Sequence, residues 1–356
     1  MVGSQIDSAK SIRSGEELDI DRLQDYLLAN LNDAKGRLTI EQFPSGWSNL
    51  TYLLKLGEQE LVLRRPPFGN QVKSAHDMGR EYRVLSKLCE VFPPAPRPYL
   101  FCDDPNVIGD DFYVMERRTG VVIRAKPPEE LTSDPALVRG LSESLVGCMA
   151  DLHRVDYEAA GLAELGRPDG YVKRQVEGWT KRYEKSKTDQ YDSMDRLARW
   201  LAEHLPPEGR PAMIHNDFKH DNLMLANDDL TRVIAVLDWE MATIGDPLMD
   251  LGTTLAYWIQ ADDHPSIKMA AFGPTCLEGS LNRQEVAELY ASRTGVDIDN
   301  ILFYYCYGLY KLAVVVQQIY ARYVRGATQD PRFAGLNHTV MAMGETGVRA
   351  IDSSSI

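Results

Sequence analysis

The chain has 356 residues, 44% of them hydrophobic and 26% charged, with a formal net charge of -13. That length allows two ordinary domains with well-buried cores, and the composition excludes disorder on the scale of the whole chain. The acidic balance argues against non-specific binding to nucleic acid or to anionic membranes; it serves solubility and would attract a cationic substrate.

The N-terminal stretch MVGSQIDSAKSIRSGEELDID is polar and has no apolar core, so it does not read as a secretory signal. Residues 1–18 read as a loose arm, and 1–34 as a segment preceding the first domain. Short strands follow at Leu38–Phe43, Tyr52–Leu56 and Leu61–Arg65, joined by PSGWSN and GEQ. Met78, Tyr82, Leu85 and Leu88 recur at helical spacing over 77–91, and PPAPRP ends that helix. Two further strands fall at Tyr99–Cys102 and Asp111–Glu116. Residues 35–118 therefore form a small antiparallel sheet with one helix.

From 119 to 356 the pattern is mostly helical. Helices are expected at 135–155, 170–186, 194–205, 247–259, 283–294, 299–324 and 337–347. Two short apolar strands, Ala212–His215 and Val233–Leu237, flank a polar loop. The most apolar run, Ile301–Val324, contains Lys311, Gln317 and Gln318, and so reads as a buried helix and not as a bilayer span. The five cysteines (89, 102, 148, 276 and 306) are odd in number and show no C-x-x-C spacing. That pattern fits free thiols in a reducing cytoplasm. The expected fold class is α+β: a bilobal arrangement of a small β lobe and a larger helical lobe, with a cleft between them of the kind that holds small molecules.

The strongest chemical signal is MIHNDFKHDNLMLANDDLTRVIAVLDWE, where two apolar strands bracket Asp217 and Asn222 and the second strand ends in Asp238. Phosphoryl transfer needs a group that orients or deprotonates the attacking hydroxyl, together with hard oxygen ligands for Mg²⁺. Asp217 suits the first task; Asn222 and Asp238 suit the second. Asp217 and Asn222 stand five apart, as do the Asp and Asn of the protein-kinase catalytic loop H-R-D-x-x-x-x-N.

The segment resembles the catalytic loop of the aminoglycoside phosphotransferase family, which has a protein-kinase-like fold. It is most similar to the branch that includes the kinase-like domain fused to some acyl-CoA dehydrogenases, where the loop reads like HNDFKHDN and the metal strand like VLDWE followed by GDPLMDL. The resemblance covers nearly the whole chain after about residue 35. It implies that FPSGWSNLTYLL is the phosphate-covering β-turn-β, with Ser45, Gly46, Ser48 and Asn49 near the nucleotide phosphates. It places Arg64 of VLRR where the best-known members carry a phosphate-holding Lys. Strand alternation sets Arg64 on the face opposite Leu61 and Leu63, and a guanidinium can clamp phosphate bidentately. Glu81, one turn from Met78 and Leu85, is the expected partner of Arg64. DFYVMERRTG resembles the hinge, with backbone around Met115–Arg117 meeting adenine. His215 is implied to support the geometry of the loop, and Asp250 to brace it.

Departures from a protein kinase are plain. Asn216 stands for the Arg of HRD and Trp239-Glu240 for the Phe-Gly of DFG. Only residues 239–249 separate Asp238 from Asp250, too few for a long activation loop. The reading is a small-molecule O-phosphotransferase using ATP and Mg²⁺, with Asp217 as base and no covalent phosphoenzyme. Its acceptor is a hydroxylated metabolite, either a hydroxyacyl-CoA type or an aminoglycoside-like polyol. Arg117, Arg118, Arg124 and Lys126 are candidate contacts for CoA phosphates, and the helices of 135–205 together with those after 283 would build the acceptor pocket. Two rivals stand beside this reading. One is a nucleotide-binding pseudokinase. The other is a metallohydrolase with His215, Asp217, His220 and Asp221 around Zn²⁺.

Overall fold

The computed structural model describes residues 8–44, 49–68, 77–124, 127–268 and 273–356. They divide into two compact units. The first comprises Met1–Val122, Ala160–Leu162 and Leu223–Met241, and the second Ile123–Ala159, Ala163–Asn222 and Ala242–Ile356. The first unit thus runs slightly past residue 118 and takes back a later segment that sequence order alone groups with the helices.

The first unit is built on a five-stranded antiparallel sheet. Its elements are α1 (Ile20–Asn30), β1 (Leu38–Gln42), β2 (Leu50–Leu56), β3 (Gln59–Arg65), α2 (Met78–Leu88), β4 (Pro98–Cys102), the short α3 (Pro105–Ile108) and β5 (Phe112–Glu116). The strand order is β1-β2-β3-β5-β4. Alternation sorts the side chains by face. Tyr52, Leu54, Leu61, Leu63, Phe112 and Val114 join Leu23 and Leu27 of α1 in one apolar core. Arg64 and Val62 are therefore left on the other face, where α2 packs against β4 and β5.

Two features of this unit escape a reading by periodicity. Residues 8–19 are not loose: Lys10 pairs with Gln42 as a bridge, Tyr52 Oη donates to Glu16 O at 2.8 Å, and Leu18 is in the core. The following helix α1 is capped by Asp19, whose carboxylate accepts from Arg22 N. The second feature is a hairpin, β7 (Leu223–Ala226) and β8 (Asp229–Val236), turning at Asn227-Asp228. It takes in part of what reads as a polar loop, and Val121 bridges to Leu225.

The second unit holds α4 (Glu129–Ser133), α5 (Pro135–His153), α6 (Tyr171–Ser186), α7 (Asp192–Glu203), β6 (Ala212–Ile214), β9 (Thr243–Gly245), α8 (Pro247–Tyr257), the short α9 (Pro265–Lys268), α10 (Arg283–Thr294), α11 (Ile301–Val324) and α12 (Leu336–Ser353). β6 pairs with β9, not with β8 as flanking strands would suggest. The pairing sets Ile214, just before the loop, beside Thr243, just before α8. Helix α11 is central, packed against α12, α8, α6 and α7. Among the described residues no helix is long and apolar enough to cross a membrane, and the five cysteines are free thiols.

The contact of α8 with α11 is unusually close because glycine faces glycine. A Cβ on Gly252 would overlap the backbone of Tyr304, and one on Gly308 would overlap the backbone of Gly252. Gly252→Ala must therefore push the helices apart. A loss of at least about 2 kcal/mol is expected, the upper range for overpacking, read as a lower denaturant midpoint with unchanged slope.

Candidate active site

The loop after β6 is fixed by one helix face. Asp246 caps α8: its Oδ1 accepts from Leu248 N at 2.8 Å, and its Oδ2 accepts from Tyr304 Oη at 3.0 Å. Asp250, Thr254 and Tyr257 then recur at i, i+4 and i+7, one stripe of the helix. The Asp250 carboxylate is fully buried and accepts from His215 N at 2.7 Å and Asn216 N at 2.8 Å. The His153 ring meets it at 3.1 Å through Nε2, while its Nδ1 lies 2.8 Å from Tyr290 Oη. Burial alone would raise the Asp250 carboxyl; the His153 contact and the backbone donors outweigh it and hold the group low. Thr254 Oγ1 donates to Phe218 O at 2.8 Å.

From α11, the buried Lys311 Nζ donates to Asn216 O at 2.6 Å. Asn216 sits at φ 68°, the left-handed region that Asn tolerates better than most residues. Its backbone N–H and C=O are thus both held by buried ionic groups, Asp250 and Lys311. That clamp keeps the uncommon conformation and turns Asp217 outward.

Asp217 is partly exposed, at 20% of its side chain. Its two oxygens are used differently. Oδ2 accepts from Asn222 Nδ2 at 2.9 Å and lies 3.1 Å from Lys219 Nζ. Oδ1 accepts from Tyr257 Oη at 2.7 Å. Asn222 Nδ2 also donates to Asp217 O at 2.8 Å, so both bonds leave through nitrogen and Oδ1 of the amide is the atom left for a cation. Lys219 Nζ lies 4.7 Å from the Tyr257 ring centroid. Asp217 N donates to His215 Nδ1 at 3.3 Å, which fixes that nitrogen as the acceptor on the buried ring. Lys219, Thr254, Tyr257 and Lys311 escape the sequence reading. The signals were there: a Lys two residues past Asp217, the i, i+4, i+7 stripe from Asp250, and a lone Lys in an apolar helix.

In the first unit, Arg64 is 8% exposed and Glu81 is 1% exposed. Arg64 Nε lies 3.5 Å from Glu81 Oε2, and Nη2 lies 2.9 Å from Asp238 Oδ1. Glu81 Oε1 accepts from Trp239 N at 3.2 Å. Burial pushes the Glu81 carboxyl up, and Arg64 opposes that push. Asp238, at φ 66°, is the second non-glycine residue of the candidate set in the left-handed region. The segment beyond it is tied down by Asn49 Nδ2 to Glu240 Oε2 at 2.8 Å and by Arg80 Nη1 to Glu240 O at 3.1 Å. Met115 is buried in β5, paired with Val62 and with Pro98. The Arg117 guanidinium stacks on Phe43 at 4.8 Å. Ser45, Gly46 and Ser48 lie outside the described residues.

The zinc-hydrolase arrangement does not assemble. Among the described residues no group of three or more His, Cys, Asp or Glu is placed to hold a metal ion. His220 instead packs on Trp258, ring centroids 5.2 Å apart, with its Nε2 buried and unpartnered, and burial pulls its pKa down to about 3. The H-x-D-x-x-H-D spacing fails because the 3-10 turn His220–Asn222 sends His220 into the core.

Burial pulls Lys311 down to about 8, against the attraction of Asp217 and Asp250. Below that pH the ammonium is charged in both folded and unfolded chains, and its desolvation penalty is fully present. Between about 8 and the ordinary lysine value near 10.4, the folded chain releases the proton while the unfolded chain keeps it. This group's contribution to stability therefore rises with pH across that window, by up to about 3 kcal/mol. The check is the pH dependence of chemical denaturation in wild type against Lys311→Met, whose difference is expected to change in that window and be flat below it.

The family model described as the phosphotransferase enzyme family matches residues 39–289. Acyl-CoA dehydrogenase family member 11 of Rattus norvegicus is 35% identical over 340 residues, covering 94% of this chain and 43% of that protein. The chain thus spans less than half the length of this curated relative. A crystal structure of a candidate aminoglycoside phosphotransferase from Ralstonia eutropha aligns with a TM-score of 0.81 at 30% identity, covering 95% of this chain and 99% of that one. Choline kinase from Cryptosporidium parvum aligns at 0.63 with 13% identity, covering 94% and 97%, a likeness of fold alone. The α+β fold is protein-kinase-like, and the chain belongs to the phosphotransferase enzyme family.

Proposed function

We propose that the chain transfers the γ-phosphoryl group of ATP, with Mg²⁺, to a hydroxyl of a small metabolite, and that Asp217 is the base. The observation that carries this reading is the state of Asp217. Its carboxylate is turned outward by a clamped backbone and held through Oδ2 by Asn222 and Lys219. Such a group can accept a hydrogen bond from an acceptor hydroxyl and take its proton as the new bond forms.

The donor set suits the implied ion. Asn222 Oδ1 and the Asp238 carboxylate are hard oxygens of the kind Mg²⁺ prefers; Asp238 keeps 31% of its side chain exposed. Mg²⁺ would offset charge on the phosphates. Arg64, already paired with Glu81 and Asp238, supplies the fixed cation of the first unit. Lys219, beside Asp217, supplies positive charge where the transferred group would carry negative charge. Asn49, Ser45, Gly46 and Ser48 are assigned to the phosphates, and the backbone at Met115–Arg117 to adenine.

For the acceptor we favour a hydroxyacyl-CoA type of metabolite. The support is that the matched segment occurs within a protein named as an acyl-CoA dehydrogenase. An aminoglycoside-like polyol is the second reading, supported by the acidic charge of the chain. Of the basic residues considered for CoA phosphates, Arg118 is already committed to Glu116 and the Pro93 carbonyl, and Lys126 lies outside the described residues.

A nucleotide-consumption screen across hydroxyacyl-CoAs and aminoglycosides tests the reading. Asp217→Asn is expected to bind Mg·ATP as before and to lose about 10²–10⁴-fold in turnover; undiminished turnover on a verified acceptor would remove Asp217 from the role of base. Asp238→Ala is expected to weaken Mg²⁺-dependent nucleotide binding in calorimetry. Equal affinity with and without the carboxylate would remove Asp238 from the metal site and lend weight to a protein that binds nucleotide by other means.

A further inference from the structure

The bond from Tyr257 to Asp217 is not needed to orient the base. The backbone around Asp217 is already held by Asp250 at Asn216 N, by Lys311 at Asn216 O and by Thr254 at Phe218 O. Its side chain is already held through Oδ2 by Asn222 and Lys219. The two residues on Oδ2 are the ones whose chemistry suits a cation and a phosphate. Oδ1 is therefore the oxygen left to face an attacking hydroxyl. It carries a hydroxyl already, that of Tyr257, at the 2.7 Å separation at which a general base engages its proton donor.

We propose that Tyr257 guards the base: its phenol holds the position on Asp217 Oδ1 that an attacking hydroxyl must take, and so denies that position to water until an acceptor displaces it. The inference rests on Asp217 being the base. A phosphotransferase that activates hydroxyls must keep from activating water, whose oxygen would bond to the γ-phosphorus as the bond to the bridging oxygen breaks. Its proton would pass to Asp217 Oδ1, leaving ADP and phosphate. Water can take the place the phenol holds only by breaking a hydrogen bond to a charged group made by a tethered donor. A bond of that class corresponds to about 10- to 100-fold in rate. A true acceptor differs from water because its body can pack in place of the displaced ring. Tyr257 is the last residue of α8 and is only partly buried, so displacing its ring breaks the bond to Asp217 and the contact with Lys219 at the end of the helix and not within it.

The test uses the full chain with Mg·ATP as the only added ligand. Tyr257→Phe, which keeps the ring and removes the hydroxyl, is expected to hydrolyse ATP about tenfold faster than wild type, or more. Its nucleotide affinity by calorimetry should be unchanged and its unfolding should stay cooperative, and Asp217→Asn in the same background should abolish the gain. A residue that merely braced Asp217 would give the opposite sign. A Tyr257→Phe rate within twofold of wild type or below it, both undetectable included, overturns the guard. So does intact-mass evidence of a phosphate on Tyr257 after incubation, which would make the phenol an acceptor. Failure of the underlying reading looks different: hydrolysis indifferent to Asp217→Asn removes the base, whereas hydrolysis lost in Asp217→Asn but not raised in Tyr257→Phe removes only the guard.

Discussion

The second unit is organised around one buried negative charge. Asp250 has no exposed surface, and a carboxylate there would be intolerable without donors on both oxygens. Its donors are two consecutive backbone N–H groups of the loop and the ring of His153. The relative direction of those two amides is set by the backbone of His215. The left-handed turn follows at Asn216, whose N–H is held by Asp250 and whose C=O is held by Lys311, so satisfying the charge also fixes one side of the bend. Residue 217 emerges outward because residues 215 and 216 are drawn in.

Two helices must come close for this to work. The loop is gripped by Asp250 from α8 and by Lys311 from α11, and both grips land on the backbone of Asn216. Side chains of fixed length reach the same residue only if their helices nearly touch, and the Gly252–Gly308 contact provides that approach. A packing detail on the far side of α8 therefore bears on the geometry of a carboxylate one helix face away. Two opposite buried charges share one loop residue without forming a direct ion pair. Each is satisfied by a backbone dipole, which loses no side-chain entropy on being ordered.

Much of this was legible in the residues. The Asp217–Asn222 spacing, the terminal Asp238, the face of Arg64 and the inward position of Glu81 all follow from short-range rules of period and spacing. What escaped depended on partners distant in sequence. The hairpin of β7 and β8 was hidden because LMLA is too short to announce a strand beside so many polar residues, and its edge is fixed by Val121. The N-terminal arm looked loose because its anchors, Gln42 and Tyr52, belong to strands formed later in the chain. Tyr257 was hidden in an apolar helix, where a tyrosine ordinarily reads as core; only its register with Asp250 set it apart. The H-x-D-x-x-H-D cluster misled for the converse reason, since spacing cannot show that a 3-10 turn sends one histidine inward.

Asn216 and Asp238 are the two residues of the candidate machinery with positive φ, and the chain treats them alike. Such a conformation at a non-glycine residue costs about 1–3 kcal/mol and persists only where its surroundings over-determine it. Asn216 is over-determined by Asp250 and Lys311. Asp238 is over-determined by Arg64 on its carboxylate, by Glu81 on the next amide, and by Trp239 Nε1 reaching back to Val236 O at 2.8 Å. In each case a buried ionic residue from a helix holds the backbone beside the strained position. The local strain is the cost of presenting a carboxylate at a fixed angle, and the buried charges are what keep the strain from relaxing. This accounts for charged groups in the interior of both units, where apolar residues of the same volume would have packed at least as stably: they hold backbone that apolar packing alone could not hold in place.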